Sequence, residues 1–382
     1  MEPYRFSLKE LIDHDLSPVQ AVLQASVDLV SSRFALAGSG SNVRAPLLEH
    51  RGEVDANGAF LGAIAAFGHA INDRMEEFPA DQWGPCTSVS WAQYTNHYSG
   101  RSSEPQRGGD FALVLDLGGN HCRLAIFQSK VAKSAFGKRR IALTQHTGKR
   151  VQLVQLAKTA VGVQSLKRTA LNWKNLDWVH YLAWDLDKRP ATVPLSNLAP
   201  QVRLALEFSI NNATGASMPR SVRRALSIEV DWDDSPLDQL LNLGSANAND
   251  AMGAPLTCRG WLTLTYSQAE RVVPPILKIM DVAVLHSRPG SPEFIHTLRQ
   301  RDEASRQMHL AGRRIEPIAA NRLRTTERKR ASMPPPFPFS DPELTQAVIE
   351  VLGRCECSPR EPTPTRNEKL GQSNNRRRGP RY

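Results

Sequence analysis

The chain has 382 residues, 41% of them hydrophobic, and its 48 Lys and Arg against 38 Asp and Glu give a formal net charge of +10. That length allows two domains with buried cores, and the composition excludes a wholly disordered or fibrous chain. No apolar run reaches the length of a membrane span, the charged start MEPYRFSLKELIDHD does not read as a signal peptide, and Cys86, Cys122, Cys258, Cys355 and Cys357 show neither a disulfide framework nor zinc spacing. The expectation is therefore a protein with no membrane partner in a reducing, cytoplasmic setting, whose basic balance favours nucleic acid.

Residues 1–50 carry helical patterning in Leu8, Leu11, Ile12, Val19, Val22, Leu23, Val27 and Val30, with Asp15 or Ser17-Pro18 as a break and restart. Residues 37–42, AGSGSN, read as a connector. No strand precedes their glycines, so they do not form a phosphate-cradling loop. A second helix is expected over 56–78, where Phe60, Ile64, Phe67, Ile71, Met75 and Phe78 make one apolar stripe that Pro79 ends. One heptad back, the same stripe meets Glu53. Alternatively, Glu53 and Asp55 serve only to place negative charge near the helix N-terminus.

Residues 86–91, CTSVSW, are a short strand candidate. Aromatic and basic residues then interleave: Trp91, Tyr94, His97, Tyr98, Arg101 and Arg107. They suit either base stacking and phosphate contacts or an ordinary surface loop.

Residues 107–130 organise the chain. Two apolar runs, FALVLDL and RLAIFQ, flank Gly118-Gly119-Asn120 and read as a hairpin. If 118–120 form the turn, Asp110 lies directly opposite Gln128. Strand alternation then brings Asp110, Gln128 and Lys130 to one face at the open end. Asp116 shares that face but lies ~20 Å away at ~3.3 Å per residue. A two-residue turn would instead put Gln128 on the opposite face. An acid, an amide oxygen and an ammonium together suit metal-assisted phosphodiester hydrolysis. Hard cations take oxygen ligands, and a lysine can orient water and stabilise charge developing on phosphate.

After the hairpin, residues 130–150 read as a basic loop. A helix follows with Val151, Val154, Leu156, Ala157, Ala160, Val161 and Leu166 on its apolar face, and Gln152 and Gln155 on it are assigned no role. WVHYLAW, 178–184, reads as a strand. Over 190–320 the pattern is mixed. PLDQLLNL is a short helix ended by Gly244, WLTLTYS (261–267) is a strand, and ILKIMDVAVLH is either. Asp231, Asp233 and Asp234 are read as caps of the PLDQLLNL helix, with a cation site as the alternative. From Asn321 a basic and proline-rich linker leads to a helix that starts at Asp341-Pro342. The remainder, after about 356, should be disordered.

Asp110 followed by Gln128-Ser129-Lys130 resembles the PD-(D/E)xK nuclease signature, in the Gln-x-Lys form of Mrr-type restriction endonucleases. The resemblance spans roughly 50–185, where helix, strand, hairpin, helix and strand follow in the order that superfamily requires. It implies an α/β (α+β) fold with a restriction-endonuclease-like core of helix, three-stranded sheet, helix and strand, to which a mixed C-terminal region is added. It also implies Asp110 and Gln128 as ligands of Mg²⁺ (or Mn²⁺), Lys130 as the catalytic lysine, Glu53 as an additional acid with Glu104 as its rival, and DNA as the partner. Arg107-Gly108-Gly109 stands where the family pattern has proline, and the neutral Gln128 leaves the site one negative charge short. The organisation expected is an N-terminal helical segment (1–50), a nuclease-like domain (51–189), an accessory mixed domain (190–320) and a linker, helix and basic tail (321–382). The rival expectation is a non-catalytic nucleic-acid-binding protein on the same scaffold.

Overall fold

The structure is a computed structural model that describes residues 16–39, 48–72, 86, 88–94, 108–118, 121–135, 138–147, 150–165, 171–185, 189–212, 217–231, 233, 235–246, 258–265, 268 and 340–356. Helix α1, Pro18–Ser39, begins at the second of the two expected break points and runs through Ser39, so the first three residues of the segment read as a connector are helical. The Gln20 amide reaches Ser17 Oγ at 3.3 Å and the Ser17 amide reaches Gln20 Oε1 at 2.9 Å, so two donors of the helix end are satisfied reciprocally. Helix α2, Leu48–Asn72, buries Phe60, Ile64 and Ile71, with Phe67 partly buried beside them. Met75 and Phe78 lie outside the described residues. Because α2 starts at Leu48, Glu53 and Asp55 sit within the helix and not at its N-terminus, which removes the reading of both as dipole partners.

Strand β1, Ser88–Gln93, pairs antiparallel with β2, Phe111–Gly118, and β2 pairs antiparallel with β3, His121–Val131. The β2–β3 register runs from Phe111 opposite Phe127 to Asp116 opposite Cys122, as expected. It then shifts, so that Gly118 faces His121. The turn pairing is thus tighter than the expected three-residue turn, and the irregularity at Leu117 absorbs the extra residue. The slip occurs beyond Asp116, so the ladder from Phe111 to Asp116 keeps the expected register, while Asp110 lies just before its first pair and is not paired with Gln128.

The segment expected as a basic loop is instead ordered as β4 (Lys133–Ala135), β5 (Lys138–Ala142), β6 (His146–Thr147) and β7 (Arg150–Val151). In β5, Ile141 is buried while Lys138 and Ala142 are exposed. This is a one-faced strand whose alternation is thinned by its basic residues. Helix α3, Gln152–Ser165, is the crossover to β8, Val179–Trp184, which runs parallel to β3. Strand β9, Ala191–Pro194, adds antiparallel to β8. Helices α4, Ala199–Asn211, and α5, Arg220–Ala225, lead to β10, Ser227–Glu229, which pairs with β5.

Helix α6, Leu237–Ala246, runs through Gly244 and does not end there. A Cβ at that position would lie 2.3 Å from the Trp261 ring, so the glycine admits the indole. Asp231 accepts the Asp233 amide at 3.2 Å, and Asp234 lies outside the described residues. Strand β11, Leu262–Thr265, pairs antiparallel with the first part of β3, and β8 takes the second part of the same edge. Helix α7, Asp341–Glu356, packs Leu344, Val348, Val351 and Leu352 into the core on the α3 side.

The result is a mixed α/β architecture with a six-stranded sheet in the order β1-β2-β3-β8-β9 and β11 also on β3. Helices α1, α2 and α6 cover the face formed by Phe111, Leu113, Leu115 and Phe127. Helices α3, α4 and α7 cover the face formed by Ala112, Val114, Leu124 and Ile126. Strands β9 and β11, from the region expected as an accessory domain, hydrogen-bond into this same sheet. ILKIMDVAVLH and the tail after 356 lie outside the described residues. No helix among the described residues is long and apolar enough to cross a membrane, and Cys86, Cys122, Cys258 and Cys355 are free thiols.

On the α2 face, Phe111, Phe127 and His180 form a stacked row, with centroids 5.1 Å and 5.4 Å apart. His180 Nε2 bonds the Gly260 carbonyl at 2.9 Å. Burial holds the ring neutral and lowers its pKa from 6.5 to about 4, against the Gly260 bond that raises it. A depressed folded-state pKa contributes stability that is complete above the unfolded value and lost as pH falls through the window from 6.5 to about 4. Denaturant melts across that window should show a loss of roughly 3 kcal/mol from this group. His180→Gln, which keeps a donor for Gly260, should flatten the pH dependence.

Candidate active site

Asp110 is delivered by the turn that enters β2. Gly108 has φ +76, and a Cβ there would lie 2.5 Å from the Leu156 amide nitrogen and 2.6 Å from the Gln152 carbonyl oxygen. Only glycine combines that backbone conformation with so close an approach of α3. The glycines that stand in place of proline therefore bring the start of α3 against the chain just before the aspartate.

The Asp110 amide bonds the Phe127 carbonyl at 2.8 Å, one residue out of step with the β2–β3 ladder, and this holds the side chain within reach of Gln128. Gln128 Nε2 then donates to Asp110 Oδ1 at 2.9 Å. The Ser129 amide donates to Asp110 Oδ2 at 2.7 Å, and Asn57 Nδ2 reaches the same oxygen at 3.4 Å. Burial is the largest influence on the Asp110 carboxyl and raises its pKa. Lys130 and the Ser129 amide pull it back down, the Glu53 charge raises it, and the Gln128 bond lowers it.

Lys130 is buried, and its Nζ bonds Glu53 Oε2 at 3.0 Å and Gln145 Oε1 at 2.9 Å. The Glu53 side chain is 36% exposed against 6% for Lys130, so the acid carries the site out to solvent. Asp110, Gln128, Lys130 and Glu53 are thus brought together at the C-terminal end of β3, between α2 and α3. Glu104 lies outside the described residues, as do His97, Tyr98, Arg101 and Arg107. Asp116 lies apart, paired in register with Cys122, where its charge adds to burial in pushing that thiol up to about 12.

Four participants escape the sequence reading. Asn57 Oδ1 accepts from Ser129 Oγ at 2.6 Å and from Trp184 Nε1 at 3.0 Å, while its amide turns to Asp110. It is a polar residue four positions after Glu53 on the stripe that continues to Phe60, and that interruption of an apolar face was its signal. Ser129, inside the Gln-x-Lys triplet, points to the α2 side and supplies the bond to Asn57. Gln145 lay in the segment read as loop, where nothing marked it. Tyr181 is the parallel partner of Gln128 in β8, and its hydroxyl is buried with no hydrogen-bond partner among the described residues. Burial, then the negative charges of Asp110 and Glu53, raise its pKa and keep it a neutral donor.

Gln128 Oε1 is likewise buried with no partner among the described residues. With the Asp110 carboxylate beside it, the donor set is all oxygen, which fits a hard divalent cation. No cluster of three or more His, Cys, Asp or Glu suited to a metal occurs among the described residues. No protein-family model matches the chain, and neither does any curated protein or solved structure.

Asn57→Leu should remove a partner from Ser129 Oγ, Trp184 Nε1 and Asp110 in one step. A buried donor left unsatisfied costs ~1–3 kcal/mol, so a loss near the upper part of that range is expected in urea unfolding. A variant as stable as the parent would show that water replaces Asn57 at no cost.

Proposed function

We propose that the chain is a divalent-metal-dependent endonuclease that hydrolyses DNA phosphodiester bonds, built on a PD-(D/E)xK-like core in its Gln-x-Lys form. The observation that carries the reading is the meeting of Asp110, Gln128, Lys130 and Glu53 at the end of one strand. In support, the parallel β3–α3–β8 unit and the antiparallel β1–β2–β3 set follow the element order of that superfamily.

On this reading Asp110 and Gln128 Oε1 would hold Mg²⁺ (or Mn²⁺), which would supply Lewis-acid stabilisation of the phosphate oxygens. Lys130 contributes a preorganised positive charge. Glu53 and Gln145 fix its ammonium before substrate arrives, so no reorganisation is needed when negative charge grows on the phosphorus oxygens. Glu53, the more exposed carboxylate, would take the proton of the water that attacks phosphorus as the P–O bond to the leaving group breaks, and the leaving oxygen would take a proton from solvent. Asn57 and Ser129 hold Asp110 in position and touch no reacting atom.

A second reading is a nucleic-acid-binding protein without catalysis. Its specific support is that both Asp110 oxygens already accept hydrogen bonds, which a ligand carboxylate must give up or share.

Incubation of the full chain with plasmid, with and without Mg²⁺ or Mn²⁺, tests the proposal. Lys130→Ala should lower the cleavage rate by about 10²–10³-fold while retaining DNA binding, because the ammonium acts on charge that develops in the transition state. Asp110→Asn should lose cleavage and any stabilisation by added Mg²⁺. Asp116→Asn, with its fold intact, should cut like the parent. A Lys130→Ala variant that cuts as fast as the parent overturns the catalytic assignment, and a parent that never cuts leaves the binding reading in its place.

A further inference from the structure

Beyond the candidate site, the small sheet that follows β3 carries a one-sided distribution of charge. In the order β10-β5-β4, Glu229 pairs with Arg140 and Arg140 with Lys133, so these residues share one face with Lys138. That face is the open one: Lys133, Lys138, Ala142 and Glu229 are exposed, while Ile141 on the other face is in the core and Arg139 there pairs with Asp185 at 2.7 Å. Helix α5 runs directly into β10 and adds Arg220, Arg223 and Arg224, all exposed and spaced to share one side of the helix. These three strands and α5 contain one acid, Glu229, and Lys138 neutralises it at 2.8 Å. Lys133, Arg220, Arg223 and Arg224 have no ion-pair partner among the described residues.

The surface is continuous with the candidate site on both flanks. Lys133 follows Lys130 by ~10 Å of extended chain. On the return, the Leu143 amide bonds the Leu226 carbonyl at the end of α5, and Gln145, just beyond, bonds Lys130. Both connections place this face next to the candidate site.

We infer that the exposed face of β4, β5 and β10, together with the arginine side of α5, is the docking surface for the phosphate backbone of double-stranded DNA. The inference rests on the nuclease reading only for where the bound duplex leads. An anionic bilayer is disfavoured because the large exposed hydrophobics, Val54, Ile210, Leu243 and Ile349, all lie off these elements, so nothing here would insert between lipids.

The test is binding of a short fluorescein-labelled duplex to the full chain without divalent metal, followed by anisotropy over a range of NaCl. The triple variant Arg220→Gln, Arg223→Gln, Arg224→Gln should bind about tenfold or more weakly at ~0.1 M salt. Its slope of log K against log salt should be shallower by nearly 3, at ~0.9 per lost phosphate contact. Lys133→Gln should lower the slope by ~0.9. Far-ultraviolet circular dichroism and the thermal midpoint report whether each variant keeps the parent fold, and Lys133→Gln serves if the triple variant does not. An unchanged slope in a folded variant overturns the inference. So does a loss seen only when Arg376, Arg377 and Arg378 of the C-terminus are changed to Gln, or one seen only for phosphatidylserine vesicles. Because no metal is present, this outcome is independent of cleavage: a parent that never cuts sinks the nuclease reading and leaves the docking surface standing.

Discussion

Withdrawing the Asp110 carboxylate from water is the cost around which this end of the sheet is arranged. An ionised carboxylate loses far more hydration on burial than one hydrogen bond returns. Here burial does raise the Asp110 pKa, and each neighbouring group acts against that rise or is held by a group that does. The Ser129 amide comes from β3, the Gln128 amide from the same strand, and the Asn57 amide from α2. The carboxylate thereby ties the first residue of the hairpin, the central strand and the helix above it. Trp184, from β8, joins through Asn57. The register of β2 on β3, the seating of α2 and the parallel docking of β8 thus converge on one anion.

Much of this was legible in the sequence because it follows from periodicity. Phe60, Ile64 and Ile71 specified the buried side of α2, and the alternation of FALVLDL against RLAIFQ specified the register from Phe111–Phe127 onward, at whose open end the Asp110 and Gln128 side chains meet. That register survived a wrong turn length because the slip sits at Leu117, on the far side of every residue that matters here. The roles inferred for Asp110, Gln128, Lys130 and Glu53 come from the chemistry of their types, not from periodicity.

What was not legible depends on tertiary packing. The strands β4 and β5 were hidden because a one-faced ribbon beside a larger core needs a single inward residue such as Ile141. Lysine and arginine occupy its outer side, and the composition reads as loop. Gln145 was hidden for the same reason. Gly244 looked like a helix stop, since glycine commonly follows a helix end, yet its role is to receive Trp261. Strand β11 was expected as a strand but not as a partner of β3. Nothing local distinguishes a strand that starts a new sheet from one that fills the unpaired half of an edge.

The neutral residue at 128 follows from the same electrostatics. A glutamate there would place a second negative charge against Asp110, in surroundings where burial and Glu53 already oppose ionisation. Two carboxylates that close do not both ionise without a cation between them. An amide has two ends of opposite character. Nε2 donates to Asp110 Oδ1 and stabilises the anion, and Oε1 remains a buried acceptor. Gln128 therefore lets the site keep Asp110 in place without a cation while still presenting an oxygen to one. The lost negative charge weakens attraction for a divalent ion. It also leaves the net charge around Asp110, Lys130 and Glu53 closer to balance, which on the proposed function would lower the barrier to an incoming phosphate. On the proposed function, affinity for metal would then be set less by Asp110 and Gln128 than by the substrate's phosphate oxygens, so substrate and metal should bind with positive coupling.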